Sequence, residues 1–432
     1  MGHKSLNPTN RFNGLKSCKK SFSIIILKTI NKILVFLIAL ALILISYYTW
    51  LKSPVLTHGF ASYYTSARML TDGSDMSHAY DTTYYFAKMQ IYGFGNVKDL
   101  SNLPTGSFIM LPLCRFEPTT AKIIWNILGI IFLFTSILLL FRSFNIPLFS
   151  TPGLILILVT LLFYPFYYNI AFGQAYALLL LLAAVSVYGF RKDNSLLTAL
   201  PIALIIILKG YGFYPLAALL FMKKPKVFLL TIGLTAAIFL LTLPLFGLSA
   251  WQMYYAKFYS VVAYGEHSSN VAYQTMGSLL GHLFSYNTTV NTNAILSIPK
   301  IYVYYFTQLS GLVILFLLSK KFNRDNYLIF FVMSFALNVI FSPAAEDYHS
   351  LFYLPLIILS GSILFNDVNF RSPQIYVFAL ALLLLMLPLP FRLLQDSSFP
   401  LYILAYPRLY GALIMIFLAH GLIHGGKLPE SS

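Results

Sequence analysis

SLLTALPIALIIILKGYGFYPLAALLFM, residues 195–222, is the stretch on which the fold turns. Two apolar runs flank the tetrapeptide Lys209-Gly210-Tyr211-Gly212. Arg191 and Lys192 precede the segment, and Lys223, Lys224 and Lys226 follow it. Lys and Arg collect in short cytoplasmic loops of membrane proteins, so both ends of the segment belong on that side. Its 28 residues are too few for two full crossings, because each takes roughly 20 residues at about 1.5 Å per residue. The segment therefore reads as a broken hairpin of two half-helices with Lys209 at its tip. Non-helical backbone at membrane depth is tolerated only where it lines a protein-enclosed or wet cavity, which makes the tip a candidate site wall.

The rest of the chain supports a membrane setting. Hydrophobic residues make up 58%, charged residues 10%, and mean hydropathy is +0.76. A soluble domain carries roughly 25% charged residues, so this chain cannot cover a water-facing surface. Ile33–Trp50, Ile123–Phe141, Val227–Leu245 and Ile375–Leu389 approach or reach spanning length. Threading places spans near 33–51, 119–141, 151–168, 174–190, 226–246, 300–319, 327–343, 348–365, 374–391 and 405–424. With the hairpin, this describes an all-α polytopic membrane protein of about 11–12 transmembrane helices. Its organisation is a basic cytoplasmic tail at 1–32, one membrane domain at 33–424 with outer loops 52–118 and 247–299, and a cytoplasmic tail at 425–432. The basic stretch from Lys4 to Lys32 leads into an apolar run too long for a cleaved signal peptide, and so reads as a signal anchor.

The net charge of +16 is topological rather than a sign of nucleic acid. Cytoplasmic segments of this threading hold eighteen Lys and Arg against four acids, and outer segments eleven against nine. Acid–base chemistry therefore has its reagents on the outer side of a cell (inner or plasma) membrane, with both termini inside. Cys18 and Cys114 fall on opposite sides in this threading and so do not suggest a disulfide. The 31 Tyr suit the headgroup zone, having an apolar ring and a polar tip.

The first outer loop carries the most unusual run: His58-Gly59-Phe60-Ala61-Ser62-Tyr63-Tyr64-Thr65-Ser66-Ala67-Arg68, then Asp72-Gly73-Ser74-Asp75 and Ala79-Tyr80-Asp81. Residues 62–71 and 81–92 fit interfacial helices, with Asp72 and Asp81 either reactive groups or helix-end residues. Glu346-Asp347-Tyr348-His349 sits at the outer entrance of a span, where a helix cap is the competing role. No metal or cofactor is expected. Asp72 and Asp75 are wrongly spaced for a metal pair, and His420 and His424 lie at the cytoplasmic end of the last span.

The run Phe60–Arg68, followed by Gly73 and Tyr80-Asp81, resembles the first outer loop of the glycosyltransferases of family 87, which use polyprenyl-phosphate sugars and include bacterial mannosyltransferases of the C-type fold. Further segments resemble the family in the same order. They are Leu103-Pro104-Thr105 with Leu111-Pro112-Leu113, Ala121 and Trp125, Phe172-Gly173-Gln174, and Leu208-Lys209-Gly210 through Pro215-Leu216. Gly247 with Trp251, Met276-Gly277-Ser278, and Ser342-Pro343 through His349 complete the set, which spans about residues 55–365. The resemblance implies a C-type glycosyltransferase bundle and an inverting transfer, with mannose the commonest sugar, from a polyprenyl-phosphate donor to a lipid-linked or envelope glycan. It also implies a general base on the Asp that opens the first motif, where this chain has Gly59. The base is then His58, whose imidazole titrates in the useful range, or an outer acid such as Asp72, Asp81 or Asp347; otherwise the chain has lost the activity.

Such a reaction needs few groups. The phosphate is already a good leaving group, so one base must take the acceptor's proton and one or two cations must hold the departing phosphate. Lys209 is the first candidate for the phosphate, because an ammonium at membrane depth is costly without an anionic partner. Its alternatives are a snorkelling lysine or an internal pair with an acid such as Asp347. Arg68 could share the role or meet headgroups; Gln174 and His349 could bind sugar hydroxyls or serve interhelical contacts. A transporter or flippase for lipid-linked substrates, and a non-catalytic binder of polyprenyl phosphate, are the rival functions.

Overall fold

The computed structural model describes residues 8–100, 102–265, 270–287, 291–292, 294–366, 372–397 and 399–423. The expected tail at 425–432 and His424 lie outside them. Helices α1 (Pro8–Lys52), α2 (His58–Thr71), α3 (Thr82–Met89), α4 (Pro118–Ser143), α5 (Thr151–Leu161) and α6 (Tyr164–Phe172) come first. The hairpin region follows as α7 (Tyr176–Arg191), α8 (Ser195–Lys209), α9 (Phe213–Phe221) and α10 (Pro225–Met253). Then come α11 (Ser260–Tyr264), α12 (Met276–Phe284), α13 (Lys300–Ser319), α14 (Tyr327–Ile340), α15 (Leu354–Asn366), α16 (Pro373–Met386) and α17 (Pro407–Ile423). Among the described residues, six helical segments are long and apolar enough to cross a bilayer, and shorter apolar helices accompany them. The chain is an all-α polytopic membrane protein.

Local chemistry sets the ends. Pro118, Pro225 and Pro373 open α4, α10 and α16, where a missing N–H costs nothing. Asn194 caps α8 by accepting from the Leu197 amide at 3.0 Å. The single span expected near 151–168 is instead two helices, because Leu162 and Phe163 leave helical geometry just ahead of Pro165.

Packing separates an inner from an outer set. Every residue of α14 from Leu328 to Ile340 is buried, as a helix apolar all round should be. By contrast, α1, α10 and α13 turn large apolar side chains outward: Phe36 is 69% exposed, Leu241 76% and Phe306 63%. Such faces suit contact with hydrocarbon. At one end of the bundle α2, α3, α11, α12 and the loops between them form a cap. Helix α2 is enclosed on nearly every side, with Gly59 to Ala67 and Met69 buried. Cys114 lies buried in this cap as a free thiol.

Two buried cations fasten elements together near the cap. Lys122, near the start of α4, donates to the carbonyls of Lys52 (3.3 Å), Ala171 (2.8 Å) and Val55, and to the Thr57 hydroxyl (3.1 Å). It thereby ties the ends of α1 and α6 together without a carboxylate. Arg408, fully buried in α17, meets Asp347 at 2.9 Å and donates to the Leu384 carbonyl at 2.9 Å. Removing one member of such a pair strands the other charge, which costs about 3–5 kcal/mol. Arg408→Ala should therefore lower the thermal unfolding temperature sharply in detergent. The double variant Asp347→Leu/Arg408→Met should recover most of that loss.

Candidate active site

The hairpin tip is built by two glycines. Gly210 (φ 73°) ends α8 and Gly212 (φ 104°) begins α9, both in the left-handed region where a Cβ is unfavourable. The break releases backbone amides from helical bonding. Asn338 accepts from two of them, Gly212 at 3.2 Å and Tyr214 at 3.3 Å. The Tyr211 hydroxyl reaches the Ala344 carbonyl (2.8 Å) and Ser342 (2.9 Å), while Thr105 donates to the Ile207 carbonyl at 2.5 Å. The tip is thus held from α14 on one side and from the 104–109 turn on the other.

Beside it lies a cavity of about 310 Å³. Ser62 reaches it from α2, Asp99 and Asn102 from the cap loop, Gln174 and Tyr176 from the α6–α7 junction, and Glu346, Tyr348 and His349 from the entrance to α15. Lys209 enters from the tip. Its Nζ donates to Asn102 Oδ1 at 2.5 Å and lies over the rings of Tyr63 (4.9 Å) and Tyr176 (5.7 Å). Among the described residues it joins no ion pair. The Asn102 amide donates in turn to Ser62 Oγ at 2.7 Å.

Two carboxylates face this cation without touching it. Burial pushes Asp99 up to about 7; the nearby Glu346 charge adds to the rise, against the Leu100 amide, Lys209 and Ser62, which favour the ionised form. Burial also raises Glu346, opposed by Arg392, Tyr348 and Lys209. The cavity runs into a second space of about 770 Å³, sharing Leu103, Gly210, Phe213, Tyr254, Tyr259 and Tyr304 with it. This groove lies between α8, α9, α10 and α13, is walled by Ile206, Ile232, Phe239 and Trp251, and is open where Phe213, Tyr255 and Tyr305 stay half exposed.

Of the residues singled out from the sequence, Lys209, Gln174 and His349 line the cavity together. His349 packs against Tyr176 and Tyr211 at ring separations of 4.1 and 5.3 Å. The other five are not among its lining residues. Arg68 and Asp72 face each other at 3.9 Å on the outside of α2, where Tyr92 donates to Asp72 at 2.7 Å and Arg68 to the Cys114 carbonyl at 3.0 Å. Asp81 caps α3 through the amides of Thr83 and Tyr84. Asp347 is held by Arg408, not by Lys209. His58 is exposed at the start of α2 against Phe172, its pKa lowered by desolvation and by Lys122. Asp99 and Asn102 were not legible beforehand. They stand in an ordinary polar loop, and only long-range packing, such as the Tyr80 hydroxyl on the Asn102 carbonyl at 2.7 Å, turns them inward.

Gly59 has a steric reason. A Cβ there would stand 2.4 Å from Gln174 Nε2 and 2.8 Å from the Phe172 carbonyl. Gln174 is buried and bonded to the Tyr63 hydroxyl at 3.3 Å, so it has little room to yield. Gly59→Ala should cost about 1–3 kcal/mol of stability through overpacking. Adding Gln174→Ala should return part of that loss, a coupling that a thermal-shift double-mutant cycle would read directly.

No curated protein and no solved structure matches the chain. One family model does, glycosyltransferase family 87, over residues 103–343. The match begins at Leu103, after α2 and Asp99, and takes in the broken hairpin, the apolar groove and the approach to Glu346. It covers more than half of the sequence, and the chain accordingly belongs to glycosyltransferase family 87.

Proposed function

We propose that this glycosyltransferase takes its sugar from a polyprenyl-phosphate donor and places it, with inversion, on a hydroxyl of a lipid-linked or envelope glycan. The observation that carries this reading is the continuity of two unlike spaces, a polar cavity holding Lys209 and an apolar groove leading away between helices. A polyprenyl phosphate has the same two parts. Its tail suits Ile206, Ile232, Phe239 and Trp251, and its phosphate suits an ammonium whose neighbours are an amide oxygen and two aromatic faces. In the reaction the acceptor oxygen bonds to the anomeric carbon while the bond from that carbon to the phosphate oxygen breaks. The electron pair leaves on the phosphate, where Lys209 stabilises it, and the hydroxyl proton passes to a base. Gln174, Asn102 and His349 are placed to orient sugar hydroxyls. Mannose, which the family resemblance suggests, is the first sugar to try.

The site lies at the capped end, which we assign to the non-cytoplasmic side of the cell membrane with both termini in the cytoplasm. The charge asymmetry supports this assignment, since Lys223, Lys224 and Lys226 cluster at the opposite end.

Purified protein incubated with radiolabelled polyprenyl-phosphate sugars and a membrane lipid extract should yield labelled glycolipid. Lys209→Ala should lower kcat/KM about 100- to 1,000-fold, the scale of one lost oxyanion contact. No product with any donor, accompanied by movement of the lipid across liposomes, would overturn transfer in favour of transport. For topology, Ser74→Cys in a background lacking Cys18 and Cys114 should react with an impermeant maleimide added to intact cells. Lys223→Cys should react only after lysis.

A further inference from the structure

With Gly59 at the position where the family resemblance calls for an acid, the base for the proposed transfer must come from elsewhere. Asp99 and Glu346 are the acids that line the cavity among the described residues. Glu346 is held by Tyr348 on one side and faces the positive charge of Arg392 on the other. Among the described residues no arginine acts on Asp99, which reaches the cavity beside Ser62 of α2. Ser62 Oγ donates to the Gly59 carbonyl at 3.1 Å, and Ser62 and Asp99 line the same cavity. The carboxylate that arrives from the loop thus shares the cavity with the serine bonded to the backbone of the missing acid's position. The same Ser62 receives the Asn102 amide, whose oxygen holds Lys209 at 2.5 Å. Asp99 and Lys209 therefore line one cavity without neutralising each other in a direct pair.

The approach to Asp99 also fits an acceptor. A separate chamber of about 350 Å³ lies in the cap, lined by Tyr80, Asp81, Tyr85 and Lys257 and sharing Leu100 and Phe258 with the cavity. Asp99 is one residue from that shared wall and is not among the residues that line the apolar groove. A chamber of mixed lining, with Tyr80 and Tyr85 beside Asp81 and Lys257, suits a hydroxyl-rich acceptor, because aromatic rings offer flat apolar faces and a polar tip.

We infer that Asp99 is the catalytic base of this enzyme, taking the acceptor hydroxyl proton on its carboxylate as that oxygen attacks the anomeric carbon from the side of the cap chamber. The inference rests on the polyprenyl-phosphate reading above. The proton leaves the acceptor oxygen for Asp99 Oδ, and the electron pair of the broken bond leaves with the phosphate toward Lys209. The burial that raises Asp99 places its titration close to neutrality, where a base combines availability with strength. The charged and titratable groups facing it are Lys209 and Glu346, with Tyr63, Tyr273 and Tyr348 around them.

The test compares wild type, Asp99→Asn, Asp99→Glu and Glu346→Gln in the full-length protein with labelled donor and lipid extract. Asp99→Asn should lose 100- to 10,000-fold in kcat while binding polyprenyl phosphate, followed by the fluorescence of Trp251 in the groove, within a few-fold of wild type. Asp99→Glu should recover part of kcat. Wild-type kcat should fall on the acid side of a pKa near neutrality, and this limb should persist in Glu346→Gln. Unimpaired kcat in Asp99→Asn, loss of lipid binding in that variant, or disappearance of the acid limb in Glu346→Gln would each overturn Asp99 alone. A wild type that binds polyprenyl phosphate but transfers no sugar would overturn the donor reading and Asp99 with it.

Discussion

A helix that breaks inside a membrane exposes amides and carbonyls that lipid cannot satisfy, and each such group costs several kcal/mol. The turn at 210–212 meets that constraint with one side chain, Asn338, whose carbonyl oxygen accepts from both the Gly212 and Tyr214 amides. Everything at the site follows from this repair. It fixes where α8 stops, and therefore where Lys209 stands. It also fixes the divergence of α8 and α9 that, with α10 and α13, leaves room for the apolar groove. The two left-handed glycines make the turn possible, and Asn338 and Ser342 make it stable.

Three cations, Lys122 and Arg408 buried and Lys209 partly open to the cavity, show how differently one desolvation problem can be solved. Arg408 has a carboxylate at 2.9 Å and is spent on holding α17 to the entrance of α15. Lys122 has no carboxylate, but four oxygens surround it, and it is spent on joining α1, α4 and α6. Lys209 has one amide oxygen and two ring faces. Aromatic faces offset only part of the desolvation of an ammonium, and of the three Lys209 is the one that lines the cavity, where a ligand can reach it.

Much of the fold was legible because it rests on local signals. Apolar runs of spanning length, punctuated by clusters such as Lys223-Lys224 and Lys320-Lys321, became helices close to their expected limits. The broken hairpin was readable from Lys209-Gly210-Tyr211-Gly212, since the arithmetic of helix rise leaves no other arrangement. The Leu162–Phe163 break was not foreseen, although Pro165 in the first turn of α6 marks it. In the site, residues carrying an intramembrane signal, Lys209 and Gln174, lie together in the cavity with His349. Acids chosen for their place near a motif went to other work, Asp81 to a cap, Asp72 to a surface contact and Asp347 to an ion pair. Asp99 carries no pattern at all. A polar loop residue becomes a site residue only through the packing of distant elements, here α2 and the hairpin tip against residues 99–102, and no local spacing encodes that.

The side opening of the groove at Phe213, Tyr255 and Tyr305 changes the dimensionality of the enzyme's encounters. The proposed lipid donor, entering there, would never leave the bilayer, so its effective concentration would be counted per area of membrane and not per volume of water. Diluting cells or proteoliposomes would then leave supply of such a donor untouched, whereas adding empty lipid would dilute it. Exit of the spent lipid would obey the same geometry, so turnover of such a donor would be sensitive to membrane fluidity and thickness in a way that a site open only to water would not be.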